Sequence, residues 1–131
     1  MKTILVDAVY CFIVEKDNKF EVFKDLYNLL EKYPNPKIIL TGADDEGIKK
    51  YGLNNVPYKV FTLKHNPEKM NSEYYKTLLK EYKLNKENVI YFEHSEEAVK
   101  SAQSVGINTY YYDNNKKDLI GLEKFLDDNL K

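Results

Sequence analysis

Residues 3–12 read TILVDAVYCF, and the rest of the chain is expected to be arranged around this stretch. Its first four residues are of the aliphatic and β-branched kinds that fill a buried strand. Asp7 follows them where that strand should end. In an open α/β sheet the ligand site lies at the carboxyl ends of the strands, so Asp7 is a candidate functional group. The alternative is that Asp7 only caps a turn.

Strand-like and helix-like segments alternate along the rest of the chain, a pattern typical of a mostly parallel sheet covered by helices. Residues 12–23 are expected to form a hairpin or flap. The further predicted strands are 37–42, 58–63, 89–92 and 108–112. The predicted helices are 21–33, 44–51, 72–84, 95–106 and a closing helix from 118, with Ser72 and Ser95 as expected caps. The pattern predicts five strands and five helices.

Length and composition favour one soluble α/β domain covering residues 1–131. Hydrophobic residues make up 43% and charged residues 31%, which excludes a disordered or fibrous chain. No apolar run approaches the roughly 18 residues that a membrane span needs. The N-terminal stretch is interpreted as a first strand and not a signal peptide, so we expect a cytoplasmic protein.

The charged residues restrict the ligands that the chain can hold. The net charge is −1 and no segment gathers lysines, so nucleic acid is not expected as a partner. All 20 basic residues are lysine, so an anion must be held by lysine, backbone N–H groups and hydroxyls without a bidentate arginine. The single cysteine, Cys11, excludes an intramolecular disulfide and is predicted to be a buried structural thiol.

Four polar residues follow predicted strands at their carboxyl ends: Asp7, Thr41, Glu93 and His94. Parallel strands joined by right-handed crossovers have their carboxyl ends at the same edge of the sheet. These side chains are therefore expected to converge.

The stretch ILVDAVYCF (4–12) resembles the first motif of the haloacid dehalogenase-like superfamily, hhhDxDG followed by Thr or Val. Most members of that superfamily are phosphatases and other phosphoryl-transfer enzymes. The resemblance makes Asp7 the nucleophile. Val9 stands where the family has its acid/base Asp, Tyr10 where it has Gly, and Cys11 where it has Thr or Val.

The resemblance continues through three further stretches. IILTGA (38–43) is similar to the second motif, which makes Thr41, with Gly42, a phosphate contact. KMNSEYY (69–75) is similar to the third, which makes Lys69 a phosphate contact that stabilises developing charge. VIYFEHSEEAVKSAQSVGI (89–107) is similar to the fourth, whose paired acid positions are Glu93 and His94 here.

The resemblance implies a Rossmann-like three-layer αβα sandwich without a cap domain, because predicted strands and helices fill the intervals between the motifs. It also implies an aspartyl-phosphate on Asp7 and a Mg²⁺ ion, with Asp7, Glu93 and His94 as the candidate metal ligands here. The alternative for these three ligands is a borderline metal that accepts imidazole. Val9 cannot exchange a proton, and His94 is not the oxygen ligand that Mg²⁺ prefers. Activity is therefore expected to be weak or lost.

Three hypotheses remain open from the sequence. The chain is a phosphoryl-transfer enzyme acting on a phosphorylated small molecule or phosphoprotein, or a non-catalytic relative that keeps Asp7, Thr41 and Lys69 as an anion pocket. The third hypothesis is a domain that binds a protein partner or a second copy of itself, with Tyr110 to Tyr112 as contact surface.

Overall fold

The computed structural model describes residues 1–131 and contains a five-stranded parallel sheet with a separate two-stranded hairpin. In chain order the strands are β1 (Thr3–Asp7), β2 (Ile13–Lys16), β3 (Lys19–Val22), β4 (Lys37–Leu40), β5 (Lys59–Phe61), β6 (Val89–Glu93) and β7 (Asn108–Tyr111). The order in the sheet is β5-β4-β1-β6-β7, and every neighbouring pair is parallel. The predicted α/β fold is confirmed, with β1 at the centre.

Helices cover both faces of this sheet. They are α1 (Lys24–Leu30), α2 (Asp45–Lys50), α3 (Ser72–Glu81), α4 (Glu96–Ser104) and α5 (Leu119–Leu130). Alternate residues of β1 point to opposite faces, as the strand period of two requires. Ile4 and Val6 pack with α1 and α5, whereas Leu5 packs with α3 and with Ala102 of α4. The result is the predicted three-layer αβα arrangement. No helix combines the length and the apolar character that crossing a bilayer requires.

The predicted hairpin is formed by β2 and β3, and it corrects the predicted start of the first helix at Glu21. Glu21 pairs with Val14 in the antiparallel ladder. The N–H of Phe23 also donates to the carbonyl of Phe12 at 2.8 Å, so the backbone of Phe23 still bonds to the opposite strand of the hairpin segment. Cross-strand pairing outweighs the helical spacing of the apolar residues there, and α1 begins only at Lys24.

The predicted bounds of α3 are also corrected. The N-cap is Asn71, whose side chain accepts the N–H of Glu73 at 2.9 Å, and Ser72 is the first helical residue. The helix ends at Glu81, before the predicted Leu84, because Lys83 adopts a left-handed backbone with φ of 53°. The predicted cap at Ser95 is confirmed by its hydroxyl, which accepts the N–H of Ala98.

The tyrosines of the last strand do not form one surface. Tyr112 lies just beyond β7 and is buried, whereas Tyr111 is exposed and Tyr110 is half-buried. Tyr112 therefore belongs to the core and cannot contribute to the contact surface expected from the sequence.

The register of the sheet brings the polar strand ends to one edge. Asp7 pairs with Leu40, directly before Thr41, and Val6 pairs with Phe92, directly before Glu93. Helix α3 fixes part of this edge, because the hydroxyl of Tyr74 donates to the carbonyl of Thr41 at 2.7 Å and to that of Phe61 at 3.1 Å.

We expect Tyr74→Phe to lower the free energy of unfolding by about 1–3 kcal/mol, because two buried carbonyls lose their shared donor. Tyr75→Phe is the matched control: Tyr75 is equally buried, but its hydroxyl makes no hydrogen bond. Urea unfolding of both variants measures the difference. Equal losses would show that the hydroxyl of Tyr74 does not stabilise this edge.

Candidate active site

The ammonium group of Lys69 lies at the centre of the strand-end cluster. Its Nζ is 2.8 Å from Oδ1 of Asp7, 2.7 Å from Oε1 of Glu93 and 3.2 Å from the carbonyl oxygen of Leu40. Both carboxylates are buried. An ammonium group has three protons, and these three acceptors use all of them. A further anion can bind Lys69 only by replacing one of the three.

Glu93 is the more firmly held of the two carboxylates. Its oxygens accept hydrogen bonds from the hydroxyl of Tyr91 and, at 3.0 Å, from the backbone N–H of Ser95. Burial alone would raise the pKa of Glu93, but Lys69 and the hydrogen bond with His94 outweigh it and hold that pKa well below its usual range. Glu93 is therefore an ionised structural anion beneath the site.

His94 covers Asp7 from the other side. Its backbone N–H donates to Oδ2 of Asp7 at 3.2 Å, and its ring Nδ1 hydrogen-bonds to the same oxygen. Nδ1 also lies 3.3 Å from Oε2 of Glu93. The hydrogen bonds with Asp7 and Glu93 raise the pKa of His94 to about 10, against the effect of burial. His94 is accordingly an imidazolium at neutral pH.

Asp7 is subject to opposing influences. Burial and the neighbouring charge of Glu93 raise the pKa of Asp7, while Lys69 and His94 act to lower it. Burial would lower the pKa of Lys69, but the two carboxylates raise it well above its usual value. Two carboxylates thus face two cationic groups, and Asp7 holds a proton more readily than Glu93 does.

A cavity of about 300 Å³ opens above this cluster. It is lined by all six residues that the sequence proposed for the site: Asp7, Thr41, Gly42, Lys69, Glu93 and His94. The hydroxyl oxygen of Thr41 accepts the N–H of Ala43 at 3.1 Å, which leaves the hydroxyl proton for another acceptor. The structure therefore brings the predicted residues together around one cavity.

The two unusual residues after Asp7 form the wall of the cavity. Val9 lines it with an apolar side chain that has no proton to exchange. Tyr10 has a φ of 67°, a left-handed conformation that glycine adopts without steric cost. Its ring is half-exposed and stands edge-on to His94 and to Phe20, with centroid distances of 6.3 and 6.4 Å.

Cys11 takes no part in the chemistry of this site. It is buried, as predicted, and burial raises the pKa of its thiol well above the ordinary value. The thiolate needed for nucleophilic attack is therefore suppressed.

A second cavity of about 680 Å³ adjoins the first and contains residues that the sequence analysis did not single out. The two cavities share Val9, Thr41, Gly42, Tyr51 and Lys69. His65 and Glu68 line the second cavity and not the first. They lie in the loop that follows β5 and precedes Lys69, a few residues beyond the end of the strand, so an expectation limited to residues directly at strand ends did not include them.

Solved structures with this fold include an enzyme of the haloacid dehalogenase (HAD) family. An enzyme of that family from Bacteroides thetaiotaomicron, an aspartate-to-alanine variant in complex with magnesium and inorganic phosphate, has a TM-score of 0.63 at 12% identity. The match covers 85% of this chain and 93% of that one. The chain therefore has a haloacid dehalogenase-like fold.

Two further structures extend this likeness. An uncharacterized protein from Corynebacterium glutamicum has a TM-score of 0.70 at 18% identity, covering 97% of this chain and 96% of that one. A hydrolase from Streptococcus pneumoniae has a TM-score of 0.63 at 16% identity, covering 82% of this chain and 58% of that one. No protein-family model and no curated protein sequence matches the chain.

The raised pKa of His94 predicts a pH-dependent stability. In the folded chain the imidazolium of His94 keeps its proton up to about pH 10, whereas in an unfolded chain it releases that proton near pH 6.5. The contribution of His94 to the free energy of unfolding is therefore complete below about pH 6.5. It is lost as the pH rises toward about 10, with a slope of up to about 1.4 kcal/mol per pH unit. Urea unfolding across this interval should show the slope, and His94→Gln should lack it. An NMR titration in which His94 of the folded chain is already neutral at pH 7 would contradict the assignment.

Proposed function

We propose that the chain binds a phosphoryl group above Asp7 and transfers it slowly through an aspartyl-phosphate. The observation that carries the proposal is the position of Lys69, whose Nζ lies between the buried carboxylates of Asp7 and Glu93 on the floor of a cavity that Thr41 also lines. The proposed substrate is a phosphorylated small molecule, and the proposed active unit is residues 1–131 as one core domain without a cap.

The chemistry assigns one task to each residue. A carboxylate oxygen of Asp7 attacks phosphorus, the bond from phosphorus to the leaving oxygen breaks, and an acyl phosphate forms on Asp7. Lys69 exchanges one of its present acceptors for a phosphoryl oxygen and stabilises the developing negative charge. The hydroxyl of Thr41 and the backbone beside Gly42 hold the remaining oxygens. Water then cleaves the acyl phosphate and regenerates the carboxylate.

The donor set does not fit magnesium as it is arranged. Asp7, Glu93 and His94 offer ligand atoms within 4.8 Å of one another, but one of the three is an imidazole, whereas Mg²⁺ prefers oxygen ligands. The ring Nδ1 is engaged with Asp7, and Lys69 contacts both carboxylates. His94 and Lys69 already balance the two negative charges. Magnesium could bind only after His94 had left Asp7, so no step of the proposed reaction is routed through a metal.

The same network is the reason for a slow rate. Both oxygens of Asp7 are hydrogen-bonded within the protein, so attack on phosphorus must break part of a stable arrangement. Val9 also supplies no proton to the leaving oxygen. The closed network also favours a second candidate, a non-catalytic pocket that binds a phosphorylated ligand or protein without turnover.

Assays with 4-nitrophenyl phosphate distinguish these two candidates. We expect slow release of 4-nitrophenol by the unaltered chain and none by Asp7→Asn, because the amide cannot form the acyl phosphate. The matched control is Asp128→Asn, which changes an exposed aspartate in α5 and should leave the rate unchanged. Since magnesium does not fit the cluster, added Mg²⁺ and added chelator should give the same rate.

Equal background rates for the unaltered chain and Asp7→Asn would rule out the enzyme. Thermal melting with orthovanadate then tests the pocket, because only a ligand that prefers the native state raises the melting temperature. A rise that Lys69→Gln abolishes would support binding without turnover. No rise in either chain would reject both candidates.

A further inference from the structure

We infer that His65, oriented by Glu68, is the general acid and base that serves the leaving oxygen at the Asp7 site. The inference rests on the proposed function and extends it by naming the source of the proton that Val9 cannot supply. It is drawn from the position of this pair in the second cavity.

The leaving group of a substrate bound above Asp7 would extend into the second cavity. It shares Thr41 and Lys69 with the cavity above Asp7, and Val9 forms part of the wall of both. A phosphoryl group held by Thr41 and Lys69 therefore lies at the junction of the two cavities. Its remaining substituent has the larger volume, about 680 Å³, open to it, and His65 and Glu68 line that volume.

The ring of His65 lies close to the phosphate-binding end of β4. A Cβ atom added to Gly42 would be 3.5 Å from Nδ1 of His65, so the imidazole packs beside the residue that follows Thr41. Nδ1 is 3.0 Å from Oε1 of Glu68. This contact occupies one ring nitrogen and leaves Nε2 for a ligand, which is how a carboxylate commonly orients a catalytic histidine.

The backbone around His65 is held in an unusual conformation. Lys64 and His65 both have left-handed backbones, with φ of 53° and 65°. Two hydrogen bonds fix this turn, from the N–H of Lys64 to Oγ1 of Thr62 and from the N–H of Asn66 to the carbonyl of Leu63, each 3.0 Å long. Conformations of this kind cost free energy and are often found where function demands a particular placement.

Three other titratable groups that line the two cavities are already engaged in other contacts. His94 is bound to Asp7, and Glu93 is buried and bonded by Lys69 and Tyr91. Asp44 accepts the N–H of Gly47 as the N-cap of α2. His65 is the remaining imidazole, and imidazole is the commonest general acid–base group in enzymes.

The proposed proton transfers balance in both steps. When Asp7 attacks phosphorus and the leaving oxygen departs, Nε2 of the His65 imidazolium gives its proton to that oxygen and the product is a neutral alcohol. Water then enters, Nε2 takes a proton from it, and the resulting hydroxide attacks phosphorus. Phosphate departs, the carboxylate of Asp7 is restored, and His65 is again an imidazolium.

The test compares a substrate that needs this proton with one that does not. An alkyl alcohol is a poor leaving group without protonation, whereas 4-nitrophenolate leaves readily as an anion. We expect His65→Asn to lower kcat/KM for ethyl phosphate by about 100-fold or more, and for 4-nitrophenyl phosphate by only a few-fold. Asparagine tolerates the left-handed backbone, so the substitution removes the proton donor with little strain on the turn.

Lys64→Asn is the matched control, because it introduces the same residue at the neighbouring left-handed position and should alter neither rate. Glu68→Gln should show the selective loss of His65→Asn in weaker form. Equal losses on both substrates in His65→Asn, or no loss on either, would overturn the inference.

Asp7→Asn separates this result from a failure of the proposed function. If Asp7→Asn is inactive while His65→Asn shows no selective loss, only the inference is wrong. If Asp7→Asn is as active as the unaltered chain on both substrates, the proposed function is wrong and the inference falls with it.

Discussion

One lysine contacts two buried carboxylates and so joins three separate parts of the chain at the edge of the sheet. Asp7 ends β1, Glu93 ends β6, and Lys69 comes from the loop before α3. An unpaired carboxylate in the interior is costly, and breaking a buried ion pair typically costs about 3–5 kcal/mol. Lys69 therefore stabilises the edge of the sheet and also anchors the loop that carries His65.

The same interaction sets the limits of the chemistry. The ammonium group of Lys69 has no free proton, and His94 occupies the second oxygen of Asp7, so the cluster is neutral and closed as it stands. The proposed phosphoryl group has to enter by exchange with a protein acceptor. In this chain the side chains of Lys69 and His94 supply the positive charge from within the protein.

The sheet and the meeting of the strand ends could be predicted from sequence because they follow from local patterns. A buried apolar run before Asp7 and a similar run before Thr41 specify parallel strands, and parallel strands share an edge. The start of α1 could not be predicted in this way. The apolar spacing that begins at Phe23 placed the helix start at Glu21, and only the pairing of residues 19–22 with β2 shows that Glu21 belongs to a strand.

The sequence predicted which residues line the site better than it predicted the contacts among them. Sequence motifs placed His94 beside Glu93 as a candidate metal ligand, but only the folded geometry shows its ring nitrogen on Asp7. His65 carries no sequence signal, because its proximity to Gly42 arises from a left-handed turn in a loop. Long-range contacts of this kind depend on the packing of loops against strand ends.

The role of Asp7 can be tested with a crystal structure of the chain soaked with orthovanadate. We expect vanadium within bonding distance of a carboxylate oxygen of Asp7, with Nζ of Lys69 and the hydroxyl of Thr41 on the vanadate oxygens and His65 facing the apical oxygen. Vanadate bound elsewhere, or absent while Lys69 remains on both carboxylates, would contradict this expectation.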